Sequence, residues 1–226
     1  MDRKTPERET VTASIAATGH SLALLRRLTS GYSLTYHEHT HALYDVRTSL
    51  GPGVKTFVEI GGFIGATAAL MLNHPLVTSV VTIDPLEQPM TDFDGDRSQL
   101  DTFLANVEAS NVLGRSFRLI RAPSETATDA LGTDGIDMLF IDGDHSFQAV
   151  TEDFRNYAPK VKAGGYVIFD DYLDKGYNPD VRPAVDAVVA QCLNGLYSRT
   201  VIKANADAKP SIGASNLFVL RKNRDG

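Results

Sequence analysis

From Val54 onward, short runs rich in β-branched and aromatic residues alternate with segments whose apolar positions recur at steps of three and four. That order builds a parallel sheet with helices on both faces. Seven strands are predicted: Lys55–Ile60, Ser79–Asp84, Phe117–Arg121, Asp137–Asp142, Tyr166–Asp170, Thr200–Lys203 and Leu217–Arg221. Between the fourth and fifth, Phe147, Val150, Phe154, Tyr157 and Val161 mark one face of a helix that begins near Ser146, and Gly164–Gly165 is expected to end it. Asp180–Leu193 reads as another helix, with Pro183 in the first turn, where a missing N–H costs little. Ala204–Gly213 is polar and turn-rich, so the last two strands are expected to pair as an antiparallel return at the sheet edge. Ahead of the sheet, Val11–Leu28 has helical composition and Thr29–Ser49 is less regular and rich in Tyr and His. Gln88–Asp96, with Pro89 and several acidic side chains, reads as an exposed loop.

Composition narrows the function classes. A chain of 226 residues suits one α/β domain with a short extension. The net charge of −6 and the absence of a Lys/Arg stripe argue against a nucleic-acid partner and in favour of a small molecule. The single Cys192 excludes an internal disulfide framework and a Cys-rich zinc site. Met1–Thr10 lacks the apolar core of a signal peptide and no run of eighteen apolar residues occurs, so a soluble, cytoplasmic protein without membrane contact is expected.

Candidate chemistry lies at the strand ends, where open parallel sheets bind their ligands. Glu59, Asp84, Asp142, Asp170 and Asp171 each close a predicted strand, so these carboxylates gather on one rim. The first strand-to-helix turn, Glu59-Ile60-Gly61-Gly62-Phe63-Ile64-Gly65, lets the backbone turn tightly and approach a ligand, with a helix from Ile64 to Leu72 offering its N-terminus. Asp84, 19 residues past Gly65, stands where an acidic side chain accepts hydrogen bonds from ribose hydroxyls, which implies a nucleoside-containing cofactor. The dinucleotide fingerprint G-x-G-x-x-G fails in either frame, because Phe63 or Ile60 occupies a required glycine position. Glu59 is better matched to a cofactor bearing an amino group.

The pattern Glu-x-Gly-x-x-x-Gly followed by Asp84 resembles the first two motifs of class I S-adenosylmethionine-dependent methyltransferases. The stretches IDMLFIDGDHSFQAVTEDF and AGGYVIFDDY resemble the metal-dependent O-methyltransferases, in particular the macrocin-like sugar and natural-product branch, with the catechol and caffeoyl-CoA enzymes more distant. The resemblance spans roughly Val54–Arg221 and implies a Rossmann-like, seven-stranded, mostly parallel sheet with an antiparallel last strand. On this reading residues 51–226 form the methyltransferase domain and residues 1–50 a helical extension or lid. The resemblance also implies that Glu59 and Thr67 hold the methionine part of S-adenosylmethionine and that Gly61, Phe63 and Gly65 shape its bed. Asp84 would take the ribose, and Ala122 and Ser124 would lie near the adenine, with Asp142 bordering the cofactor. Relatives of this kind often self-associate through N-terminal segments, so a homo-oligomer is compatible with the sequence.

Asp142, Asp170 and Asp171 end two strands that are neighbours in such a fold, and three carboxylates so close repel one another when ionised. A hard divalent cation removes the repulsion; Mg²⁺ is the first choice, with Mn²⁺ or Ca²⁺ as alternatives. In the related enzymes the matching positions bind the metal, although the third is Asn in the catechol and caffeoyl-CoA groups. A bound cation acidifies an alcohol, and a vicinal diol can chelate it through both oxygens. His145, three residues past Asp142, stands where those relatives place a lysine base and is the expected general base, acting with Asp142. The competing reading makes it a helix-start histidine that holds the loop. The His37-Glu38-His39-Thr40-His41 run, flanked by Tyr36 and Tyr44, is expected to line or cover the substrate pocket. The expected function is therefore metal-dependent O-methylation of a hydroxyl on a sugar or phenolic natural product. The alternatives are a non-catalytic S-adenosylmethionine-binding domain and a nucleotide-dependent oxidoreductase.

Overall fold

The computed structural model describes Leu43 and residues 56–89, 98–132, 135–192, 195–202 and 217–224. Apart from Leu43, the proposed lid lies outside the described residues, and so does the His37–His41 run. In chain order the elements are β1 (Thr56–Ile60), α1 (Ala66–Leu72), β2 (Ser79–Ile83), α2 (Gln99–Ser110), β3 (Ser116–Ile120), α3 (Ser124–Leu131), β4 (Ile136–Ile141), α4 (Phe147–Tyr157), β5 (Val161–Phe169), α5 (Val181–Gln191), β6 (Tyr197–Ile202) and β7 (Leu217–Lys222). The strands form one sheet in the order β3-β2-β1-β4-β5-β7-β6. β1 to β5 pair in parallel, whereas β7 runs antiparallel to both β5 and β6. The expected antiparallel return is present, with β7 inserted beside β5 and β6 left at the edge.

Alternation along the strands sends successive side chains to opposite faces. Val58, Ile60, Val81, Ile83, Leu139 and Ile141 join one cluster with residues of α3, α4 and α5. Phe57, Val80, Met138 and Phe140 join a second with residues of α1 and α2. β4 is buried throughout, as a central parallel strand covered on both faces must be. Ser146 caps α4 by accepting the Ala149 N–H at 3.2 Å, so that helix starts where the sequence places it.

The end of α4 corrects the sequence reading. The helix stops at Tyr157, a single 3₁₀ turn follows over Ala158–Lys160, and Val161 already opens β5, leaving Gly164 and Gly165 inside the strand. Pro159 explains the stop, since it has no N–H to continue the i→i−4 ladder. Gly165 marks a close strand crossing instead of a helix end: a Cβ there would meet the Asp137 carbonyl oxygen at 2.7 Å, beside a register irregularity between Ile136 and Met138.

The base of the sheet is stitched by polar side chains. Asp137, on β4, accepts the Thr56 N–H at 2.9 Å and the Lys162 ammonium at 3.0 Å, tying β1, β4 and β5 together. No helix among the described residues is long and apolar enough to cross a membrane. Replacing Asp137 by Ala removes the charged acceptor from the half-buried Thr56 N–H and from Lys162, and a loss of about 1–3 kcal/mol is expected, read as a lowered denaturant midpoint with unchanged slope.

Candidate active site

Register carries the candidate residues to one place. Ile60 pairs with both Ile83 and Ile141, and Ile141 pairs with Phe169, so β1, β2, β4 and β5 end level. The ladder continues one residue further: Gly61 N–H donates to Ile83 O at 3.0 Å, Asp142 N–H to Ile60 O at 2.9 Å, Asp170 N–H to Ile141 O at 3.1 Å and Asp84 N–H to Ile120 O at 3.2 Å. Gly61, Asp84, Asp142 and Asp170 therefore stand in a row along one rim. Chain order runs outward from β1 through β2 to β3, then returns to β4 on the other side, which makes the β1–β4 border the topological switch point.

The glycine turn is shaped by the protein itself. Gly61 has φ +89°, and a Cβ on it would lie 2.0 Å from the Asp142 carbonyl oxygen, so no side chain fits between the two turns. Phe63 is held at φ +45°, an uncommon conformation for an aromatic residue. Four contacts fix it and its neighbours. Asp84 Oδ2 accepts the Gly62 N–H at 2.7 Å and the Phe63 N–H at 3.2 Å, the Gln99 amide donates to Phe63 O at 3.0 Å, and the Asn106 amide donates to Ile64 O at 2.8 Å. Asp84 Oδ1 accepts the Leu86 N–H at 2.7 Å. A carboxylate offers about four acceptor positions, so Asp84 pins the turn and keeps little capacity for a ligand hydroxyl. Gln99 and Asn106 were not singled out from the sequence. Their signal was two amides seven residues apart, on one face of α2 among the buried Phe103 and Val107.

Glu59 is fully buried at the end of β1. Its Oε1 accepts the Thr82 hydroxyl at 2.6 Å, while Oε2 has no hydrogen-bond partner among the described residues. Burial pushes its pKa up to about 8; the Thr82 bond opposes this and the charges of Asp142 and Asp84 add to it. A buried carboxylate oxygen with no partner fits a cationic amine, which would supply the missing donor and charge.

On the other side of the switch point, one donor atom each from Asp142, His145 and Asp171 lies within 4.8 Å of the other two. His145 Nε2 is 3.4 Å from Asp142 Oδ1 and 3.6 Å from Asp171 Oδ2. Asp170 is buried, and its Oδ1 accepts the Asp171 N–H at 2.8 Å. Burial and the neighbouring Asp170 charge raise the Asp142 pKa to about 7, against the opposing contact with His145. For His145, burial alone would lower the pKa, yet the Asp142 contact and the charges of Asp142, Asp171 and Asp170 outweigh it and hold the imidazole above its usual value. These groups, spread over 30 residues of chain, form one acidic cluster joined by an imidazole.

The remaining expected residues lie in or beside the elements that follow β1 and β3. Thr67 is buried on α1, Ala122 follows β3 and Ser124 opens α3. Ser124 receives a hydrogen bond on its carbonyl from the Tyr157 hydroxyl at 2.6 Å, and burial raises the pKa of the nearby Asp153 to about 6 against the opposing effect of the Ser124 side chain. Ala122 and Ser124 thus lie on the Asp84 side of the rim.

An open sheet with a glycine turn and acidic strand ends at its switch point is suited to a nucleoside-containing ligand. Comparison fixes which kind: residues 58–172, just over half of the chain, match the family described as methyltransferase domain. The chain belongs to that family and is an S-adenosylmethionine-dependent methyltransferase. Protein R132 of Acanthamoeba polyphaga mimivirus, described as uncharacterized, is 36% identical over 171 residues, covering 74% of each chain. Among solved structures, an O-methyltransferase from Bacillus cereus in complex with SAH superposes with a TM-score of 0.61 at 16% identity, over 92% of this chain and 91% of that one. An rRNA methylase from Streptococcus thermophilus superposes with a TM-score of 0.62 at 14% identity, over 85% and 100%. One fold accommodates both, so the acceptor is decided by the site.

Two outcomes are expected. Gly61→Ala forces a left-handed alanine against the Asp142 backbone and should cost roughly 2–5 kcal/mol of stability, measured by denaturant titration, with weakened S-adenosylhomocysteine binding in calorimetry. Glu59, Asp142 and His145 all bind protons more tightly in the folded than in the unfolded chain. Stability of the ligand-free protein should therefore fall as pH rises, for Glu59 between its usual 4.5 and about 8, by at most about 1.4 kcal/mol per pH unit for each group. Thermal melts at pH 5 and pH 8 check the sign, and Glu59→Gln should flatten the slope.

Proposed function

We propose that the protein transfers the methyl group of S-adenosylmethionine to a hydroxyl of a small-molecule acceptor, with a divalent cation held at Asp142, Asp170 and Asp171 and His145 as general base. The carrying observation beside the glycine turn is one oxygen each from Asp142 and Asp171 with the His145 nitrogen, all within 4.8 Å of one another, next to a buried carboxylate oxygen without a partner; Asp170, buried and bonded to the Asp171 N–H, stands outside that trio and would join it as the third carboxylate. Oxygen donors of this charge suit Mg²⁺, with Mn²⁺ or Ca²⁺ as alternatives. When bound, such a cation neutralises the aspartates and acidifies a coordinated hydroxyl.

The chain's own residues supply the rest. Glu59 Oε2 would accept the methionine ammonium, ionising in the process, while Gly61, Phe63, Gly65 and Thr67 form the bed beneath it. Asp84 would give its remaining acceptor position to the ribose, with Ala122 and Ser124 on the adenine side. The acceptor oxygen attacks the sulfonium methyl in line; the carbon–oxygen bond forms as the carbon–sulfur bond breaks, and S-adenosylhomocysteine leaves. The hydroxyl proton passes to His145 Nε2. That role requires a neutral imidazole; the charges of Asp142, Asp171 and Asp170 favour its protonated form, and a cation that compensates them would weaken that preference.

The acceptor we favour is a vicinal diol on a sugar of a natural product, with a catechol-like phenol next. The resemblance of IDMLFIDGDHSFQAVTEDF to the macrocin-like enzymes supports this choice, as does a net charge of −6, which repels polyanions.

Methyl transfer to a panel of glycosides and catechols bearing vicinal diols tests the proposal. EDTA should reduce turnover to background while S-adenosylhomocysteine affinity changes little, and full activity in chelator would overturn the metal role. His145→Ala should lower kcat by about 10²–10⁴-fold, and undiminished turnover in that variant removes it as the base.

A further inference from the structure

We propose that Asn178 is a positioning residue for Asp171, its amide selecting the carboxylate oxygen that Asp171 presents to the cation; this rests on the metal reading above. Asn178 Nδ2 donates to Asp171 Oδ2 at 2.5 Å. That oxygen lies 3.6 Å from His145 Nε2, on the imidazole side of the Asp142–His145–Asp171 cluster. The same Nδ2 reaches Asp174 Oδ2 at 3.4 Å. Turning the amide over would set its carbonyl against two carboxylates, so the chemistry fixes the orientation with the NH₂ toward them.

The segment from Asp171 to Asn178 is built to hold this contact. Asp174 is buried, its N–H donates to Asp171 O at 3.0 Å, and its Oδ1 accepts the N–H groups of Gly176 at 2.8 Å and Tyr177 at 3.2 Å. Asp171 itself sits at φ +55°, a left-handed conformation that Asp tolerates better than most residues. Its carboxylate also meets His145 at 3.6 Å, while the charges of Asp142 and Asp170 push it away. A hydrogen bond from Asn178 holds one oxygen toward the cluster. Because the donor is neutral, it orients the carboxylate without cancelling the charge that a cation needs; Lys or Arg at this position would occupy the site electrostatically. Partners of this kind behind a metal ligand typically account for 10–100-fold in metal affinity.

The test is Mn²⁺ binding to the full chain, followed by the electron paramagnetic resonance signal of the free ion, with thermal melts and S-adenosylhomocysteine calorimetry alongside. Asn178→Ala and Asn178→Leu, the latter keeping the bulk without the donor, should bind Mn²⁺ 10–100-fold more weakly at unchanged S-adenosylhomocysteine affinity. Asn178→Gln, which retains the amide on a longer stem, should recover part of the loss. Wild-type affinity in the Ala or Leu variant overturns the inference, as does a loss that Gln leaves unrepaired. Failure of the wild type to bind Mn²⁺ overturns it together with the metal reading.

Discussion

The structure depends on how negative charge is managed at one rim of the sheet. Glu59, Asp84, Asp142, Asp170 and Asp171 are brought together by strands that end level, and a carboxylate so placed must find donors, accept a proton or meet a cation. The answers differ along the rim, and Asp170 meets the Asp171 N–H. Asp84 spends its oxygens on the N–H groups of Gly62, Phe63 and Leu86. Glu59, half satisfied by Thr82, is pushed toward the protonated form. Asp142 and Asp171 share the imidazole of His145. Most of the unspent acceptor capacity lies at Glu59 Oε2 and in the Asp142–Asp171 cluster next to it, on either side of the β1–β4 border.

That border is also the tightest backbone approach in the site. Gly61 meets the Asp142 carbonyl with no room for a methyl group, so the turn that would carry the cofactor and the strand end that would carry the cation are in direct contact. Methyl transfer needs donor sulfonium and acceptor oxygen in line and close. A β1 turn abutting the β4 end brings the two half-sites together through main chain alone, and α2 reinforces the arrangement through Gln99 and Asn106, which hold the carbonyls of Phe63 and Ile64.

Much of this was legible in the sequence. β-rich runs separated by helical periodicity predicted all seven strands, because buried parallel strands need continuous apolar stretches and polar residues punctuate their ends. The limits are equally physical. Tyr157 and Val161 continue the helical spacing of Phe147, Val150 and Phe154, but Pro159 between them removes the hydrogen bond that would carry the helix on. The glycines of the first turn read as room for a ligand, whereas at Gly61 and Gly62 the space is filled by Asp142, Thr82 and Phe103.

By itself the sequence determined the sheet, the class of cofactor and the identity of the charged side chains, since strand-end position and residue type follow from local pattern. Only the tertiary structure decided what each carboxylate does. That Asp84 is largely consumed by backbone N–H groups, that His145 bridges Asp142 and Asp171, and that Asn178 holds Asp171 from behind depends on distances between residues far apart in the chain or across a folded loop. Hydrogen bonding and charge repulsion act over a few ångströms, and no spacing along the chain encodes which groups the packing brings within that range.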